Sequence, residues 1–133
     1  MINFSKKKYL VMKIKNVAII GLGYVGLPLA VAVSKKYNTV GFDINLKRIK
    51  NLNNGIDTTK ELKKKKFYKK KKLLFTSNKN ELLKCNFFII TVPTPINFKN
   101  KPDLTAVKSA TNLVSKFIKK GDIIVYESTV YPG

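Results

Sequence analysis

The sequence predicts an α/β fold, a doubly wound parallel sheet in one three-layer domain. Three observations carry that expectation. Short apolar runs recur at Val17–Ile20, Thr39–Phe42, Leu73–Thr76, Asn86–Val92 and Ile123–Tyr126, and such runs suit strands covered on both faces. Segments with helical signals separate them, so the order reads β-α-β-α-(α)-β-α-β-α-β, which demands parallel pairing through right-handed crossovers. Finally, Gly21, Gly23 and Gly26 mark a G-x-G-x-x-G turn between the first strand and an apolar helix.

That glycine spacing is the Rossmann-type fingerprint. The first glycine permits the tight turn, the second lets a pyrophosphate approach the backbone, and the third packs helix on strand. The helix runs from Val25 to about Lys36, with Pro28 in its first turn, where a missing N–H costs nothing. Its free N–H groups and positive dipole end would hold phosphates, with Tyr24 and Val25 inside the turn. The bland alternative is a βαβ unit whose glycines serve packing alone. The second strand ends in Asp43, seventeen residues after Gly26. A carboxylate there accepts hydrogen bonds from an adenosine ribose and points to NAD.

Asn45 to Asn53 carries Leu46, Ile49 and Leu52 at helical spacing and stops at Asn53-Asn54-Gly55. Arg48 on this helix either covers the adenine side of a cofactor or is a surface charge. Thr58 with Glu61 reads as a capping box opening a short lysine-rich helix. Lys63–Lys66 and Lys69–Lys72 are a solvated face or a polyanion patch, and Phe67 and Tyr68 anchor the segment. Ser77 is expected to cap a short helix to Lys84.

Cys85 precedes the fourth strand and has no histidine to activate it, so it reads as buried and structural rather than nucleophilic. Pro93-Thr94-Pro95 ends that strand in a rigid loop at its C-terminal edge, where ligands of open α/β sheets bind. Thr94 there is a hydrogen-bond donor or a plain turn residue. Asp103 is expected to cap a helix from about Leu104 to Lys119, with Val107, Ala110, Leu113, Val114 and Phe117 on one face. The fifth strand, if the order is 3-2-1-4-5-6, is an exposed apolar edge, and the domain looks incomplete at the C-terminus.

Composition narrows the classes. The 133 residues suffice for one domain, with residues 1–12 read as a disordered leader and 13–133 as the domain. One cysteine and no histidine exclude an internal disulfide and a Cys/His zinc site, and no metal is expected. The N-terminus lacks a sustained apolar core, so a cytoplasmic setting without a membrane partner is expected. A net charge of +20 invites a nucleic-acid reading, yet only Arg48 among the 27 basic residues is arginine. Bidentate base and phosphate contacts favour arginine, so no specific nucleic-acid partner is expected.

Taken together, Val17–Ala30, Val40-Gly-Phe-Asp43, Ile89–Pro95, Pro102-Asp-Leu-Thr105 and Val125–Gly133 resemble the N-terminal NAD-binding domain of the UDP-glucose/GDP-mannose dehydrogenase family, the nucleotide-sugar 6-dehydrogenases. The wording of the last two strand ends is similar to the UDP-N-acetylglucosamine/UDP-N-acetylgalactosamine branch, which serves capsule and O-antigen polysaccharide biosynthesis. The resemblance implies oxidation of a sugar C6 alcohol to the carboxylate with two NAD⁺. It implies that Val92, Pro93 and Thr94 line the cofactor cleft. It also implies that Thr129 touches the cofactor region and orients a water or the C6 oxygen. The family's nucleophilic cysteine, its central dimerisation segment and its C-terminal UDP-sugar domain have no counterpart before Gly133. The full-length enzyme is therefore expected to take a UDP-sugar as a homodimer or higher oligomer, and the 133-residue chain alone to be inactive. Alternatives are a stand-alone NAD-binding regulatory module and a basic polyanion-binding protein.

Overall fold

The computed structural model describes residues 13–96 and 100–128. The leader and Thr129 lie outside them. Strands β1 (Asn16–Ile20), β2 (Asn38–Phe42), β3 (Leu73–Thr76), β4 (Phe87–Ile90) and β5 (Ile123–Tyr126) form one parallel sheet in the order β3-β2-β1-β4-β5. The predicted fold class and the edge position of β5 are both borne out.

Side-chain alternation with period two splits the core into two layers. Val17 and Ile19 face one side, with Phe75 of β3 and Ile89 of β4. Helix α1 (Gly26–Ser34) covers that face through Leu27 and Ala30, and α2 (Leu46–Asn53) through Ile49 and Leu52. Ala18 and Ile20 face the other side with Phe42, Phe88 and Ile90, beneath Ala110 and Val114 of α4 (Thr105–Val114). Leu22, Leu27, Phe88 and Ile90 are fully buried. Burying each such side chain contributes roughly 1.5–3 kcal/mol.

Helix ends show where local chemistry departs from the expected pattern. Asn45 caps α2 by accepting the Arg48 N–H. The helix closes through Gly55, φ +77°, with Gly55 N–H to Leu52 O and Ile56 N–H to Asn51 O. This is the double bond pattern of a Schellman stop. Of the three residues at helical spacing, Ile49 and Leu52 are buried and Leu46 is exposed. No capping box forms at Thr58 and Glu61: the Asp57 carboxylate takes the Thr59 and Leu62 N–H groups instead. The lysine-rich helix α3 (Lys64–Phe67) starts later and is a single turn. Phe67 does anchor it, fully buried and edge-on to Phe75 at 6.1 Å.

Ser77 does not cap the next segment. Thr76 Oγ1 accepts the Asn78 N–H and Asn78 Oδ1 accepts the Asn80 N–H, so a 3₁₀ turn begins at Lys79 and ends at Lys84. Asp103 accepts the Thr105 N–H at 2.9 Å, but Leu104 is the flanking residue and α4 is shorter than expected. Phe117 still packs beneath the sheet from the turn after α4. Helix α1 likewise stops at Ser34, where the Lys36 and Tyr37 N–H groups both reach back to the Val33 carbonyl. Among the described residues, no helix is long and apolar enough to cross a membrane.

Candidate functional site

The C-terminal ends of β1, β2 and β4 converge on the glycine turn. Gly21 leaves β1 with φ +98°, a left-handed conformation that glycine tolerates, and its N–H donates to Phe42 O at 2.8 Å. A Cβ on Gly26 would sit 1.8 Å from Gly21 O and 2.6 Å from Thr91 Oγ1, so α1 can start against the strand end only without a side chain. A Cβ on Gly23 would meet nothing within 4 Å. Gly26 is needed for packing. Gly23 borders open space.

Successive peptide planes in this turn are held from behind. Thr91 Oγ1 donates to Gly21 O at 2.7 Å and to Ile20 O at 3.1 Å. Carbonyl and N–H of a trans peptide point in opposite directions, and the Leu22 N–H accordingly reaches Asp43 Oδ2 at 2.9 Å. Arg48 Nε then donates to Leu22 O at 2.8 Å. With that carbonyl held, the Gly23 N–H turns away from it. In the first turn of α1 the expected set of free donors is reduced. The Leu27 and Leu29 N–H groups bond to Gly23 O and Val25 O, each at 3.2 Å, and Pro28 has no N–H, which leaves the Gly26 N–H. This turn contains no acidic residue to occupy its positive end.

Asp43 has a second tie, from the Asn45 N–H to Oδ1 at 2.9 Å. Each carboxylate oxygen thus takes one backbone donor and retains acceptor capacity for hydroxyls. Tyr24 and Val25 are exposed beside the turn. On the other side, Ser128 Oγ donates to Val92 O at 2.7 Å and the Glu127 N–H donates to Ile90 O at 2.9 Å. The ends of β4 and β5 are thereby tied where Val92 and Thr94, half-buried, and Pro93, exposed, follow β4. A Gly23 N–H turned away from the held carbonyl, an open glycine face and an anchored carboxylate fit a dinucleotide: anionic phosphates at the turn, a diol at Asp43.

Arg48 differs from both sequence expectations. It is neither a surface charge nor an open cover for an adenine, being 8% exposed. Its guanidinium faces Leu22 O, Asp57 Oδ1 at 2.8 Å, Thr58 Oγ1 at 3.0 Å and Thr59 Oγ1 at 3.4 Å. Cys85 is buried, as expected; burial, then Glu81, pushes its thiol up to about 12, far from a nucleophile's range.

Thr91, Asp57 and Ser128 escaped sequence reasoning. Thr91 and Ser128 each donate to a carbonyl far along the chain and Asp57 takes the Arg48 guanidinium, pairings for which single-sequence spacing carries no signal. Among the described residues, no cluster of three or more His, Cys, Asp or Glu side chains is placed to hold a metal.

Comparison with known proteins agrees with this geometry. Residues 15–133 match the UDP-glucose/GDP-mannose dehydrogenase family, NAD binding domain. The chain is 54% identical over 122 residues to the UDP-N-acetyl-D-glucosamine 6-dehydrogenase of Pseudomonas aeruginosa, covering 92% of this chain and 29% of that protein. It is 50% identical over 119 residues to the protein CapL of Staphylococcus aureus, covering 90% and 28%. The solved UDP-D-ManNAc dehydrogenase from Pyrococcus horikoshii superposes with a TM-score of 0.79 at 34% identity, covering 89% of this chain and 29% of that one. The chain therefore spans less than a third of the length of these relatives. With the match running from the first strand through the glycine turn to Gly133, the chain belongs to the UDP-glucose/GDP-mannose dehydrogenase family and is its NAD-binding domain.

Proposed function

We propose that this domain seats NAD for a cytoplasmic dehydrogenase that oxidises C6 of a UDP-N-acetylhexosamine to the uronic acid. The glycine turn backed by Thr91, Asp43 and Arg48 carries the reading. In it, Gly21, Gly23, Tyr24, Val25 and Gly26 hold the pyrophosphate, and Asp43 binds the adenosine ribose. Val92, Pro93 and Thr94 line the nicotinamide side, and Thr129 orients a water or the reacting oxygen. Bound NAD⁺ supplies the hydride acceptor. The protein groups supply orientation: neutral hydroxyls at two strand ends position polar atoms without adding charge beside the cofactor.

Support for the sugar comes from two relatives, 54% and 53% identical, that are named UDP-N-acetyl-D-glucosamine 6-dehydrogenases. A UDP-sugar partner and oligomerisation belong to a longer protein in this reading. Within 1–133 the sole cysteine is buried and protonated, so this stretch binds NAD without turnover. The test has two arms. Residues 1–133 mixed with NAD and UDP-GlcNAc should give no steady NADH. Coding sequence continued past Gly133, expressed whole, should give two NADH per sugar, and no NADH from UDP-GlcNAc or UDP-GalNAc would overturn the assignment.

A further inference from the structure

The single arginine of this lysine-rich chain is spent inside the protein, and what it touches sets the cofactor loop. We propose that the Arg48–Asp57 pair is a positioning latch for the pyrophosphate seat: it fixes the Leu22–Gly23 peptide so that the Gly23 N–H faces the ligand. The proposal deepens the NAD reading and rests on the glycine turn being the pyrophosphate seat.

Four observations build it. Leu22 is held at both backbone atoms, its N–H by Asp43 and its carbonyl by Arg48, and its side chain is fully buried. Peptide planarity then turns the Gly23 N–H away from the held Leu22 carbonyl, at a residue where an added Cβ would meet nothing within 4 Å. Arg48 can hold that carbonyl only while its own plane is fixed. Asp57, whose side chain is 1% exposed, does this with a 2.8 Å ion pair.

Asp57 is itself immobilised by the Thr59 N–H at 3.0 Å, the Thr59 hydroxyl at 2.7 Å and the Leu62 N–H at 3.0 Å. Burial alone would raise the Asp57 carboxyl; those hydrogen bonds, with Arg48, outweigh it and hold the group below its ordinary value. The task needs a planar fork that donates in two directions at once, Nε to the loop and Nη1 to the acid. Lysine has no such fork. The latch also makes the 57–62 turn, which carries no glycine motif, part of the cofactor seat.

Arg48→Lys and Asp57→Asn in the 133-residue chain test this, with far-UV circular dichroism confirming folding. The Gly23 amide resonance is the readout free of ligand, and NAD titration the readout with it. Both variants should shift the Gly23 resonance. Arg48→Lys should weaken NAD at least about tenfold, the scale of one lost charge-assisted hydrogen bond. Ethylguanidinium added to Arg48→Ala should recover NAD affinity.

An unmoved Gly23 resonance, or NAD affinity within about twofold of the parent in folded Arg48→Lys, would overturn the latch. Unfolding of both variants would reduce the pair to a stability element and overturn its positioning role. A parent chain that fails to bind NAD would instead overturn the cofactor reading, and the Gly23 resonance would still decide the latch.

Discussion

Gly23 and Gly26 lie three residues apart in one motif, yet a methyl group would meet opposite fates at the two positions. At Gly26 it would collide with Gly21 O and Thr91 Oγ1. Gly26→Ala should therefore destabilise the fold by roughly 1–3 kcal/mol or more, read from a urea midpoint. At Gly23 it would enter open space. Gly23→Ala should leave stability within about 0.5 kcal/mol of the parent while weakening NAD, because the methyl occupies the ligand's side of the turn. Equal stability losses at both positions would mean the motif serves packing alone.

Cys85 gives a third prediction at this scale: with its thiol pushed up to about 12, it should resist alkylation near pH 8 in the folded chain and react on unfolding. The placement of the motif glycines and of Asp43 at neighbouring strand ends was legible in the sequence, because it depends on spacing along one βαβ unit. Arg48 was found but misplaced, because charge near a motif suggests a ligand contact. Only the fold shows that Leu22 O and Asp57 surround it.

At the scale of elements, strands and buried helix faces were readable from apolar runs, whereas helix starts were not. Asn78 took the capping role expected of Ser77, and Asp57 displaced the expected Thr58–Glu61 box. In each case several short polar side chains compete for the same few N–H groups, and geometry outside the segment chooses among them. The Asp57 turn has a consequence for acid stability. Its folded-state carboxyl lies below the ordinary 3.8, so below that value the unfolded chain binds the proton more readily than the folded one. Its stabilisation is present above that pH and is lost as pH falls through the depressed folded value. Melting temperature followed from about pH 6 to pH 2.5 should fall more steeply in the parent than in Asp57→Asn. Identical slopes would mean the carboxylate is not held by its partners.

For the whole molecule, the sheet order, the two core layers and the site at the strands' C-terminal ends follow from element order and the rules of parallel sheets. The end of the lysine run sits elsewhere. Lys71 and Lys72 flank Asn38 and Thr39 at the strands' opposite ends, away from the glycine turn, whereas Lys66 lies beside Leu62 and Pro28 of α1. Only the far end of the run is therefore separate from the cofactor seat.

The central claim is that Asp43 and the turn it anchors form an NAD seat, and calorimetric titration tests it most directly. NAD should bind saturably, NADP poorly because its 2′-phosphate meets the Asp43 carboxylate, and Asp43→Ala should weaken NAD markedly. Equal affinity for NAD and NADP, or unchanged NAD binding in Asp43→Ala, would contradict the account.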